Sequence, residues 1–210
     1  MPVTAALVAS AALLLTACGG GDDGSKGNDK IVGAATDGTK GSASPSASAA
    51  GRPEITLPSD LTDTFDGWTT GDPAKDAVLD DVARRVDVTN YAIAQGDPGL
   101  PALSFYYSGG ALADAKDWVE SIAKDGYSIT GTNRYYNAKI DVFNSSSAGV
   151  VYCEDQSKAF AKVRKTGKVL KTEVNDDAYV IYTTRVEKNK QGVWRTTKLT
   201  SERGSKSCTP

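Results

Sequence analysis

The chain contains no histidine, and that absence sets what its other reactive side chains can do. Ser-His-Asp and Cys-His catalysis, histidine metal sites and imidazole switches near neutral pH are all excluded, so chemistry would have to rest on carboxylates, Tyr, Lys or Arg. The most suggestive carboxylate is Asp155, two residues after Cys153, so that on a strand the two share a face. If Cys153 is buried, desolvation at that face would raise the Asp155 pKa toward that of a general base. Against this, the pair Glu154-Asp155 ahead of Gln156-Ser157 also reads as a solvated turn. Arg195, next to Trp194, could hold an anion in a pocket or simply point from an open strand face. Tyr outnumbers Phe by 9 to 4, and amphipathic rings such as Tyr107 and Tyr136 suit either a ligand-cavity wall or the rim of a core.

The three cysteines, Cys18, Cys153 and Cys208, divide into one and two. An uncharged apolar run from Val3 to Leu15 has the length of a signal-peptide core and is too short to cross a bilayer. It ends in Leu15-Thr16-Ala17-Cys18, which resembles the lipobox of exported bacterial lipoproteins, where the cysteine is diacylated and becomes the first residue after cleavage. No Lys or Arg precedes the run, a departure from the usual pattern; an ordinary secretory signal with a chance cysteine is the alternative. Two acyl chains would anchor the protein stably to the outer face of the cell membrane. With Cys18 acylated, Cys153 and Cys208 are left in an oxidising compartment with one possible intramolecular connectivity, a disulfide; a reactive thiol or half a metal site are the rivals. No cofactor and no metal site are expected.

The balance of 24 basic and 26 acidic side chains provides no broad positive field for nucleic acid. Neither does the chain contain a phosphate-cradling glycine loop, because Gly109-Gly110 lacks a following Lys-Ser/Thr. Residues 1–17 therefore read as the signal peptide. Residues 18–52, rich in Gly, Ser and Ala, read as the acylated cysteine and a flexible tether, too poor in large apolar side chains to offset the entropy of ordering. About 34 such residues give an r.m.s. reach of roughly 30 Å. Residues 53–210 are the folded domain.

Within that domain the apolar period changes once. Asp72 as N-cap, Pro73 at the first position, and Leu79, Val82, Val86 and Ile93 on one face predict a helix ending at Gly96. Two more helices are expected over Leu100 to Tyr107 and Ala111 to Lys124, the latter capped by Gly126. Beyond Gly126 the alternation of Tyr136, Ala138, Ile140 and Val142 predicts strands, followed by Ala148 to Cys153, Ala159 to Arg164, Val169 to Val174, Tyr179 to Glu187 and Val193 to Ser201. Helices first and consecutive antiparallel strands afterwards define an α+β class, with the helices packed on one face of a curved sheet.

The order of elements, with Ala94-Gln95-Gly96-Asp97-Pro98, Tyr107-Ser108-Gly109-Gly110-Ala111-Leu112, Val151-Tyr152-Cys153-Glu154-Asp155 and Gly192-Val193-Trp194-Arg195 near Cys208, resembles secreted actinobacterial proteins of the nuclear transport factor 2-like (SnoaL-like) superfamily. The resemblance implies a cone of helices against a bent sheet with a cavity between them. That fold serves ligand binding, subunit association and a minority of enzymes, and the His-Asp pairing of the enzymes has no counterpart here. The resulting expectation is a lipid-anchored, noncatalytic domain that binds a small apolar ligand or an envelope protein through a pocket drawn from Asp155, Trp194, Arg195, Tyr107 and Tyr136. The alternatives are an envelope enzyme using a pocket carboxylate and tyrosines, and a component of an envelope secretion or assembly complex.

Overall fold

The computed structural model describes residues 51–210; Cys18, the signal peptide and nearly all of the tether lie outside the described residues. The elements follow the order β1 (Leu61–Phe65), α1 (Pro73–Gln95), α2 (Pro101–Tyr106), α3 (Gly109–Lys124), β2 (Tyr127–Asn144), β3 (Ser147–Val163), β4 (Val169–Leu170), β5 (Tyr179–Lys188) and β6 (Trp194–Arg203). The three helices cover one face of a sheet ordered β1-β2-β3-β5-β6, with β4 paired to β3 off that path. This is the α+β arrangement expected from the switch in period. No helix among the described residues is long and apolar enough to cross a membrane.

Local signals set the helix ends. Asp72 Oδ1 accepts from the backbone N–H of Ala74 at 2.9 Å, Pro73 opens α1, and Gly96 closes it in the left-handed region at φ 70°. Arg164 then caps the exposed carbonyls of that helix end, donating to Ala94 O at 3.0 Å and to Ile93 O. Val78, Leu79, Val82, Val86 and Ile93 are all buried against the sheet. A fully buried side chain of this size contributes about 1.5–3 kcal/mol.

The sheet departs from expectation in three places. β1 pairs in parallel with β2, so the sheet is mixed, and Leu61–Phe65 had no strand-like alternation to announce it. The expected strands Ala148 to Cys153 and Ala159 to Arg164 are one continuous β3, and Val169 to Val174 shrinks to the two residues of β4. The long β2–β3 ladder is bent by register shifts at Thr132/Arg134 and Tyr136/Lys139. Gly131, at φ 101°, lies beside the first shift. A Cβ there would come within 2.1 Å of the Lys158 carbonyl oxygen, so only glycine fits. Asn137, at φ 54°, occupies the second.

These shifts decide which side chains face the helices. Alternation from β2, β3 and β5 brings Tyr135, Tyr152, Glu154 and Tyr182 to the helix side, and Tyr136, Cys153 and Asp155 to the other. On that other side Cys153 is disulfide-bonded to Cys208, Cα to Cα 5.5 Å, and the bridge ties the C-terminal segment to the middle of β3. The covalent link closes a loop of 55 residues, worth about 4 kcal/mol in the chain-entropy account.

Candidate functional site

Between the helices and the sheet lies a cavity of about 460 Å³. Ile93 of α1, Ile122 of α3, Ile129 of β2, Phe160 of β3 and Leu199 of β6 supply its apolar walls. At its rim Trp118 is 53% exposed and Tyr127 38%, large rings left in water at the edge of the opening. Volume and lining are those of a small-molecule site.

Two polar groups line the cavity. The first centres on Glu154, buried from solvent. Its Oε1 accepts from Tyr135 Oη at 2.8 Å, and its Oε2 from Tyr182 Oη at 2.8 Å and Gln156 Nε2 at 2.9 Å. Burial pushes the carboxyl pKa up, and the donated hydrogen bonds hold it down; the net shift is upward. Tyr135 and Tyr182 are driven well above the usual phenol range, by burial first and then by the Glu154 charge. Behind Tyr135, Asn90 donates to Tyr135 Oη at 3.0 Å and to Asp63 Oδ2 at 2.8 Å, while Asn133 donates to Asp63 Oδ1 at 2.9 Å. Asp63 neighbours Asp87, whose pKa is pushed to about 7 by burial and then by the Asp63 charge; burial raises Asp63 as well. The two carboxyls are therefore poised to share a proton.

The second group centres on Arg85, 4% exposed. Its Nη2 donates to Tyr152 Oη at 2.7 Å and its Nη1 makes a long 3.4 Å contact to Tyr107 Oη. The guanidinium also lies 5.6 Å from the Tyr107 ring centroid and 5.8 Å from that of Tyr152. No carboxylate forms an ion pair with it among the described residues, and its Nε has no acceptor. Burial alone would lower its pKa, but the two phenol oxygens outweigh that, and the group stays charged. Burial lifts the Tyr152 phenol to about 12, against the charge and hydrogen bond of Arg85, which hold it down.

Of the residues singled out in the sequence, Tyr107 is in the cavity wall and the other four are not. Asp155 faces away from the helices, where its Oδ1 accepts from the Ser157 backbone N–H at 2.8 Å. The disulfide it was aligned with lies on that same outer side, so burial of Cys153 does not carry Asp155 into the interior. Tyr136 is on that side too, with its hydroxyl donating to the Cys208 carbonyl and Arg134 stacked 4.5 Å from its ring. Arg195 Nη2 donates to Ser104 O at 2.9 Å and to Tyr107 O, which fastens the end of α2 to β6. Trp194 is packed in the core with Trp68, Val82 and Tyr152, outside the cavity.

Arg85, Asn90 and Glu154 are cavity residues that the sequence does not single out. Arg85 follows Arg84, and two basic residues on a helix look like a solvated face. The available signal was its spacing, three residues after Val82 and seven after Val78, on the buried stripe itself. Glu154 is hidden for a different reason. β3 runs straight through the place where a turn was expected.

Among the described residues no group of three or more His, Cys, Asp or Glu is arranged to hold a metal ion. No family model and no curated protein matches the chain. Solved structures similar to it include the intermembrane space region of the chloroplast protein ARC6, at 15% identity over 59% of this chain and 92% of that one, TM-score 0.42. They also include hexachlorocyclohexane dehydrochlorinase LinA-type3 from Novosphingobium barchaimii, at 11% identity over 63% and 90%, TM-score 0.43. An NTF-2 like protein from Shewanella oneidensis is 16% identical over 58% and 96%, TM-score 0.37. A likeness at this level says nothing about what this chain binds.

Proposed function

We propose that the protein is a lipid-anchored binding protein of the bacterial cell envelope, acylated at Cys18, whose domain holds a small molecule in the cavity between helices and sheet. The observation that carries this is the cavity itself. It has about 460 Å³ of space, apolar walls and a mouth edged by exposed Trp118 and Tyr127. Pockets of this size enclose most of a small ligand, and the polar groups within would orient it.

Binding is favoured over turnover by the state of Glu154. Three donors occupy its two oxygens, which fixes the side chain and leaves it poorly placed to take a proton from a substrate. A second reading, an enzyme acting on the same ligand, draws on the raised pKa of this carboxyl facing the cavity. Asp155 is not the base in either reading.

The test uses the full chain purified from a host that exports it, titrated with the neutral fluorophore phenylnaphthylamine. One probe per chain is expected, with binding suppressed in Ala159→Trp, which fills the cavity from β3. Failure of the wild type to bind, or equal binding by the filled variant, contradicts the proposal.

A further inference from the structure

We infer that the ligand is an amphipathic monoanion, with its acidic head, a carboxylate or sulfonate, seated on Arg85 and Tyr152 and its apolar body extending along the cavity toward Trp118. The inference rests on the proposed binding role of the cavity and adds the chemistry of the occupant.

A count of donors and acceptors around Arg85 leads there. A guanidinium carries five N–H donors and no acceptor. Here one goes to Tyr152 Oη and one makes the long contact to Tyr107 Oη, while Nε is buried with no partner. The hydroxyls do not absorb the remainder. Thr89 Oγ1 donates to the Arg85 carbonyl at 2.8 Å, so in its 2.9 Å contact with Tyr107 Oη the phenol must be the donor. Tyr107 therefore spends its proton on Thr89. Tyr152 Oη receives from Arg85 and has no acceptor of its own among the described residues. What remains is a cluster with several N–H donors, one phenol proton, a positive charge and no acceptor to match them.

A buried charge without an opposite partner is costly, and proteins seldom carry one at a structural position. The nearby carboxylate does not relieve it. Glu154 is engaged by Tyr135, Tyr182 and Gln156, and it forms neither a hydrogen bond nor an ion pair with Arg85. A carboxylate or sulfonate suits the unmet set, since each is acceptor-only and a guanidinium can address two of its oxygens through parallel N–H bonds. The apolar walls ahead of Arg85 call for a hydrocarbon or aromatic body, and the exposed ring of Trp118 marks where that body would leave the cavity.

Two matched probes separate this inference from the binding reading beneath it. Anilinonaphthalene sulfonate and phenylnaphthylamine share an aromatic body and differ in the anionic head. The full chain and its Arg85→Met variant are titrated with both, and circular dichroism checks that each is folded. Loss of charge-assisted hydrogen bonds should weaken sulfonate binding in Arg85→Met by about 10-fold to 100-fold, with the neutral probe altered by less than about 3-fold. Should Arg85→Met fail to fold, Tyr152→Phe serves instead, with an expected loss of about 5-fold for the sulfonate alone. Equal losses for the two probes, or no loss for the sulfonate, overturn the anionic head while leaving the binding reading intact. If the wild type does not bind the neutral probe, the binding reading itself fails and takes this one with it.

Discussion

Asp81 and Arg85 are one turn apart on α1, both charged and both almost fully buried, yet their surroundings are opposite. Asp81 is held by both nitrogens of an Arg52 fork at 2.9 and 3.0 Å and also accepts from the Trp194 backbone N–H at 2.9 Å. Every demand of that carboxylate is met from within the chain, and the result joins the segment before β1, the first helix and the last strand. Among the described residues Arg85 meets two phenol oxygens and no carboxylate, and it lines open space. Burial by itself therefore does not mark a site; a buried charge that the fold has left unmatched does.

If this contrast is right, the two ends of the helix respond differently to loss of charge. The largest effect is expected at Asp81. Asp81→Ala breaks the buried ion pair with the Arg52 fork and leaves the Trp194 N–H without its acceptor, and should cost about 3–5 kcal/mol in denaturant unfolding. Next comes Glu154→Ala, which leaves the buried hydroxyls of Tyr135 and Tyr182 without an acceptor. A loss of about 2–3 kcal/mol is expected, whereas Asp155→Ala, one residue away on the outer side, should stay within about 0.5 kcal/mol. A loss at Asp155 comparable to that at Glu154 would mean the inward and outward faces of β3 have been assigned the wrong way round.

A smaller effect should appear in pH dependence. The Asp87 pKa in the folded protein, about 7, is above its ordinary value of 3.8. The folded state therefore keeps a proton that the unfolded chain has already released between those limits, and stability must fall as pH rises from about 4 to 7. The upward shifts of Asp63 and Glu154 act in the same direction. Asp87→Asn should flatten this slope and stabilise the protein near pH 8 by on the order of 1–2 kcal/mol, read from thermal melts across the range. A stability curve that rises over this interval would show that these carboxyls are not held protonated. For Arg85→Met a stability within about 1 kcal/mol of wild type, or higher, is expected, because a buried charge without an ion-pair partner is exchanged for a side chain of similar length. A loss as large as that of Asp81→Ala would make Arg85 a structural residue.

How much of this the sequence could show depends on the range of the interactions. The capping residues Asp72, Pro73 and Gly96 act within one turn, and the helix they predict matches α1 closely. The disulfide follows from the cysteine count and the expected oxidising compartment, and it forms. The site did not follow, because whether Glu154 or Asp155 faces the helices depends on strand continuity and on register set by the partner strands and their bulges. Likewise β1 lacks a local signature, being fixed by parallel pairing to residues some 70 positions away. Arg85 was legible in principle from its place on the Val78, Val82 stripe, once a charged residue on such a stripe is treated as a question and not as a flaw in the pattern.

The central claim, that the cavity between helices and sheet is a binding site, is tested most directly by amide NMR during titration with phenylnaphthylamine. Shifts are predicted at Ala115, Ile129 and Ala161 around the cavity, with none along residues 204–208 on the far side of the sheet. Perturbation confined to the disulfide side, or no perturbation at saturating probe, would contradict it.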